Sequence, residues 1–260
     1  MAILLLTSAS GAPGVTTLGV GLALCWPRSV LLVDADPGAH QAVLAGYLAG
    51  TSADGKGLLR VAEAHRDRRG LREVVIDQAV PLTTDDGASR LFLPGFARPS
   101  SAGLFAGVWS DLTEALAGLD DQGFDVIVDA GRLSHSGLPT PLVERAALTA
   151  LVLRSDLRSI VSARVHLLAL REHPRLQASA RSLGLALVGG GQPYSAREIG
   201  KSLGVPVMAQ IADDPPTARH LSDGAARSRK FDSSALARSL HTTATQLATR
   251  FERSAELVRG

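Results

Sequence analysis

Short apolar runs alternate with helix-patterned segments along nearly all of the 260 residues, and that alternation leaves few architectures open. Residues 2–7 (AILLLT), 29–33 (SVLLV), 90–93 (RLFL), 124–128 (FDVIV), 147–153 (ALTALVL), 185–188 (LALV) and 207–211 (VMAQI) read as strands. They are near-continuous apolar runs, not strict alternations, which marks strands buried on both faces. Helical patterning covers residues 16–26, where Pro27 stops it, then 39–49, 57–77 and 109–119. It returns from Asp156, a suitable N-cap, to about residue 172, again near 195–203, and over the tail 233–258. Trp109, Leu112, Leu116 and Leu119 share one helix face, as do Leu236, Leu240, Leu247 and Phe251. The expected fold is an α/β three-layer sandwich whose mainly parallel, doubly wound sheet is covered by helices on both sides. No repeat and no polar linker divides the chain, so residues 1–260 are expected to form a single domain with 233–258 as its C-terminal helix.

Composition narrows the function classes. At 45% hydrophobic and 20% charged residues the chain has ample material for a core, which excludes disorder. Its single cysteine excludes a disulfide framework and a cysteine-built zinc site. The seven histidines show no metal-ligand spacing. A net charge of +2 gives no strong global attraction to nucleic acid. The apolar run at residues 2–6 has no basic flank and is too short for a signal peptide, and no stretch has the apolar length of a membrane span. A cytoplasmic protein is expected.

Ligands of open parallel sheets bind at the carboxyl ends of the strands, and three features fall there. The loop Ser8-Ala9-Ser10-Gly11-Ala12-Pro13-Gly14-Val15-Thr16-Thr17 joins the first strand to the first helix. A phosphate-binding loop has this placement, with backbone N–H groups at a helix N-terminus cradling phosphates and a Ser/Thr hydroxyl on Mg²⁺. Asp34-Ala35-Asp36-Pro37 closes the second strand, and Asp129 ends FDVIV, where an acid that binds a metal sits. Each feature alone is also what a tight turn or a strand-end helix cap produces; their order and context together point to a P-loop.

The order TSxxGxxGxTT, LLVDADP, FDVIVDAG resembles the MinD/ParA family of deviant Walker-A ATPases, whose loop reads T-S-G-K-G-G-V-G-K-T-T. The resemblance covers most of the chain, taking in Leu93-Pro94-Gly95, residues 151–165 and residues 203–224. It is closest to the CpaE/TadZ-like branch linked to Flp/Tad pilus and secretion loci, where a lysine-less loop and a Walker B resembling Asp129-Ala130-Gly131-Arg132 also occur. The resemblance implies a P-loop NTPase-like fold of the SIMIBI type. It implies nucleotide contacts from Gly11, Ala12, Pro13, Gly14, Val15, Thr16 and Thr17, and Mg²⁺ ligation by Thr16, Asp34 and Asp129. Asp36 would orient the attacking water in an active member. ATP or ADP with Mg²⁺ is the implied cofactor.

The departures are specific. The lysine that reaches a dimer partner's phosphates aligns with Ser10, and the Walker lysine with Val15. Two loop glycines are Ala9 and Ala12, and Pro13 removes a possible N–H donor. Each charge-assisted bond is worth about 1.5–3 kcal/mol, so losing two weakens triphosphate binding by roughly two to four decades. Turnover suffers more, because phosphoryl transfer rests on positioning and charge neutralisation. The retained Thr16 and aspartates fit residual Mg-nucleotide binding. They fit equally a structural role, with Thr16 as N-cap and the acids satisfying strand-end N–H groups. The family's adenine-reading asparagine has no counterpart; Gln192, after a glycine turn, is the nearest candidate.

Three functions follow from the resemblance. The first is a non-catalytic or very weakly active localisation or assembly factor for a pilus or secretion system. It would work as a homodimer or beside an intact relative, in the cytoplasm or recruited peripherally to a pole or membrane complex. The second is a Mg-dependent ATPase with a lysine-less loop, using an arginine such as Arg132. The third is a ParA-like partition protein that binds DNA nonspecifically through the basic segment 158–181.

Overall fold

The computed structural model describes residues 3–11, 13–85, 87–133, 137–178 and 182–259. From the N-terminus, β1 (Ile3–Ser8) leads to α1 (Val15–Cys25), β2 (Ser29–Asp34) and a single-turn α2 (Ala42–Ala45). Then come α3 (Leu58–Arg66), α4 (Leu71–Asp77), β3 (Val80–Pro81), β4 (Arg90–Leu93), α5 (Pro99–Leu104) and α6 (Trp109–Ala117). The central strand β5 (Phe124–Arg132) precedes α7 (Thr140–Arg145), β6 (Leu148–Arg154), α8 (Leu157–Glu172) and α9 (Pro174–Ala178). The chain closes with β7 (Leu183–Val188), α10 (Ala196–Leu203), β8 (Val207–Ile211), α11 (Pro215–Ser222) and α12 (Ala235–Arg259).

The eight strands form one sheet in the order β3-β4-β2-β5-β1-β6-β7-β8. Every pairing is parallel except that of β3 with β4. The chain runs outward from β1 through β2 to β4, returns to insert β5 beside β1, then fills the other half. That reversal puts the topological switch point at the carboxyl end of β1. Period-2 alternation sorts the side chains of each strand between two cores. Ile3 and Leu5 pack with Leu112, Leu142 and Leu167 on one face, while Leu4 and Leu6 pack with Val20, Leu240 and Leu247 on the other. The α/β three-layer, mainly parallel architecture expected from the sequence is the one observed.

Helix α1 lies under α12. A Cβ on Gly21 would fall 2.6 Å from a Leu240 methyl, so the two backbones approach closely because residue 21 has no side chain. The Trp26 ring, 1% exposed, meets Phe251 at 6.2 Å, and its indole N–H donates to Asp125 across 2.9 Å. The expected tail stripe Leu236, Leu240, Leu247 and Phe251 is buried here.

Several boundaries differ from the sequence expectation. The helix expected at 39–49 shrinks to Ala42–Ala45: Ala39 and Gln41 hold positive φ before it, and Gly46 leaves helical geometry after it, at φ −102 and ψ −100. The patterning over 57–77 is split into α3 and α4 by a turn with Arg68 at φ 57. The basic segment 158–181 is not one helix: α8 stops at Glu172, Pro174 opens α9, and Arg181 lies outside the described residues. Strand β5 runs four residues past Val128, to Arg132, and the short β3 had no sequence signal strong enough to read. Among the described residues no helix is long and apolar enough to cross a membrane.

Candidate functional site

The loop after β1 turns on two glycines in the left-handed region, Gly11 at φ 75 and Gly14 at φ 97. Gly14 is the N-cap of α1, and its carbonyl accepts the Leu18 N–H at 2.8 Å. It has no side chain to cap with, so the first-turn N–H groups have no side-chain acceptor at that position. Thr16 is therefore not the cap. It is the second helical residue, and its hydroxyl donates instead to Asp129 Oδ2 at 2.6 Å. Val15 is 7% exposed and packs in the core shared with Leu4, Leu6 and Leu18. Ala12 lies outside the described residues.

Asp34 and Asp129 end up side by side because β2 and β5 pair in register, with residue 34 opposite residue 129. Both are buried, at 6% and 3% exposure. Asp129 Oδ1 accepts the Gly131 N–H at 2.9 Å and Asp34 Oδ1 accepts the Asp36 N–H at 3.1 Å. Asp36 bonds the Gly38 N–H at 2.8 Å and the His40 ring at 2.7 Å. Two glycines make room for this cluster. A Cβ at Gly95 would lie 2.5 Å from Asp34 Cγ, and one at Gly131 would lie 2.3 Å from Asp36 Cγ.

Burial sets the electrostatics. It lifts Asp34 to about 7, with the Asp129 charge adding and the Asp36 N–H opposing. It lifts Asp129 to about 6, held back by the Thr16 hydroxyl and the Gly131 N–H. Among the described residues, the only ion pair made by Asp34, Asp36 or Asp129 is that of Asp36 with His40. Among the described residues no lysine or arginine forms an ion pair with these three acids. Arg132 stands exposed at the end of β5, beside Ser8 in register.

Behind the loop opens a cavity of about 280 Å³, lined by Pro13, Gly14, Thr17, Arg154, Asp213 and Pro215 among others. Arg154, from the end of β6, pairs with Asp213 of the β8–α11 connection. Gln192 does not line this cavity. Its carbonyl, with that of Gly189, instead accepts the Ser155 hydroxyl, so this segment is tied to the end of β6 through its backbone.

The structure thus brings Thr16, Asp34, Asp36 and Asp129 to one corner and Pro13, Gly14 and Thr17 to the adjoining cavity. Gly11, on the same loop, is exposed, with open space where a Cβ would be. The sequence offered no sign of the Arg154–Asp213 pair, whose members are 59 positions apart. His40 had a weak one, its i+4 spacing from Asp36. The hard oxygen donors Thr16, Asp34 and Asp129 suit Mg²⁺, which is usually held by one or two carboxylates together with substrate phosphates. Among the described residues no cluster of three His, Cys, Asp or Glu side chains could hold a metal by itself.

No protein-family model and no curated protein matches the chain. Solved structures do. The chain aligns over 94% of its length with 98% of a ParA family ATPase from Chlorobium tepidum, at 19% identity and a TM-score of 0.74. It aligns over 96% with 98% of the cell division protein MinD from Aquifex aeolicus, at 17% identity and a TM-score of 0.70. Against the Pyrococcus horikoshii MinD complexed with Mg-ADP the coverage is 95% of both chains, at 18% identity and a TM-score of 0.60. At these identities the likeness shows the fold: a P-loop NTPase-like α/β fold of the ParA and MinD type.

Proposed function

We propose that this chain is a degenerate MinD/ParA-family protein that acts as a localisation or assembly factor, not as a working ATPase. The reading places it in the CpaE/TadZ-like branch, serving a pilus or secretion apparatus as a homodimer or as the partner of an intact relative. One observation carries it. The acidic half of a nucleotide site is present and buried, while the cationic half is missing: Val15 is turned into the core and Ser10 is short and neutral. The Thr16 hydroxyl, expected to meet a Mg²⁺ ion, is held by its bond to Asp129.

When a Mg-nucleotide binds, Thr16, Asp129 and Asp34 are the residues that would hold the metal, which would neutralise phosphate charge. The Gly11–Thr17 loop would lie along the phosphates, and the cavity beside Pro13 and Asp213 would take the base. Asp36 would orient a water, but its bond to His40 engages one of its oxygens. With no lysine to gather charge as the terminal phosphate leaves, turnover is the step most damaged.

The purified chain is expected to release no phosphate from Mg-ATP above the background of a Thr16→Ala, Asp129→Ala double variant. Release that vanishes in the double variant and in Arg132→Ala would overturn this reading and establish an arginine-assisted ATPase.

A further inference from the structure

Helix α8 was singled out in the sequence for its arginines, yet its outer face is apolar. Asp156 caps it, accepting the Ser159 N–H at 2.9 Å. Its inner face, Ile160, Ala163, Leu167 and Leu170, is buried against the sheet. A helix with one buried stripe normally turns polar residues outward. Here Leu157, Val161, Val165 and Leu168 are 60%, 52%, 62% and 63% exposed. They are four of the six large hydrophobic side chains most exposed among the described residues. Their spacing of four, four and three puts them on one side of three turns, a ridge about 16 Å long. An apolar ridge of that kind marks an interaction surface.

Charge says what covers it. The ridge is bordered by exposed Arg158 on one side and exposed Arg164 on the other; Arg164 also reaches the Ser202 hydroxyl at 2.8 Å. The helix carries no acid before its last residue, Glu172, and the Asp156 carboxylate is taken up by the cap. Two other arginines close to the helix are engaged: Arg171 with the Leu203 and Gly204 carbonyls, Arg154 with Asp213. Two rim cations around an apolar centre make a poor track for a phosphate backbone, which rewards many cations and no buried leucine. A second copy of the same face would bring four α8 arginines together with no α8 acid before Glu172 to balance them, a like-charge contact that disfavours association.

We infer that the outer face of α8 docks an amphipathic helix of a partner protein whose apolar stripe is edged by Asp and Glu. Leu157, Val161, Val165 and Leu168 form the ridge that the partner's stripe straddles, and Arg158 and Arg164 pair with its edges. Recognition of this type reads anchors at i, i+4, i+7 and i+11.

The test uses the full chain and three fluorescent, hydrocarbon-stapled helical peptides with the same leucine stripe, edged by Glu, by Lys or by Gln. Anisotropy should show the Glu-edged peptide binding at least tenfold more tightly than the Lys-edged one. Val161→Ser with Val165→Ser should weaken it tenfold or more without lowering the melting temperature. Arg158→Glu with Arg164→Glu should reverse the preference toward the Lys-edged peptide. The proposal fails if no peptide binds, if the three bind alike, or if the serine variant binds as the parent does. It fails equally if the ridge proves to be covered by a second copy, seen as a dimer that Val161→Ser abolishes. Salt-sensitive binding of duplex DNA that Arg158→Glu abolishes and Val161→Ser leaves intact would assign the face to nucleic acid instead.

Discussion

Asp34→Asn is expected to melt higher than the parent at pH 8 and at the same temperature near pH 3. Asp34 sits at about 7 in the folded chain against an ordinary 3.8, because it is buried beside Asp129. A carboxyl that holds its proton more tightly when folded favours the folded state at low pH. That advantage is intact below pH 3.8 and is lost as pH climbs toward 7. Above pH 7 the folded chain keeps a buried charge that the unfolded chain would leave in water. At 1.36 kcal/mol per unit the cost approaches about 4 kcal/mol as an upper bound. Asparagine keeps the oxygen that accepts the Asp36 N–H and cannot ionise. For a chain of this size each kcal/mol moves the midpoint by about 2–4 °C, so a gain of roughly 10 °C at pH 8 is expected. Asp129→Asn should gain less, since Asp129 is lifted only to about 6. Scanning calorimetry of parent and variant across this pH range decides. Parallel midpoints at every pH, or an Asn variant that melts lower at pH 8, would refute the electrostatic account of the corner.

The second large effect is a gain of ligand affinity. Val15→Lys should raise Mg-ATP affinity by one to two decades, the roughly 1.5–3 kcal/mol of one charge-assisted hydrogen bond. Val15 is 7% exposed in the core beside Leu18, so a lysine must lay its stem along that apolar wall and carry its ammonium out past the loop. Lysine does this readily, at some cost in stability. Pro13 works against the gain, since it offers no N–H to a phosphate. Adding Ser10→Lys should matter only where two chains meet, because the family lysine at that position acts across a dimer. Titration calorimetry on the parent, the single and the double variant separates these effects. If neither variant gains affinity, the loop is not a phosphate cradle and the buried aspartates are structural.

Much of this corner was readable in the chain. Apolar runs placed Asp34 at a strand end and Asp129 toward the carboxyl end of its strand, which runs on to Arg132, and the parallel reading put both on one edge of the sheet. Asp156 was readable as a cap, and 207–211 as a strand, from local chemistry alone. What escaped was set by distant residues or by unusual backbone. Nothing local announces that Arg68, Ala39 and Gln41 hold positive φ, yet those residues shorten or split two expected helices. Val15 looked like a lost phosphate ligand, and only the tertiary packing shows it as core. The outer face of α8 escaped for the opposite reason. Its arginines drew attention, and nothing local says which of its apolar residues the sheet leaves uncovered.

The close approach of α12 to α1 has a further consequence. The helix that starts at the loop is pinned from behind by Leu240 over Gly21 and by Phe251 beside Trp26. A helix held that way keeps its first turn in place whether or not a phosphate sits on it. Folding and phosphate chemistry are thereby uncoupled: the scaffold needs no cation in the loop to hold the start of α1 where it is.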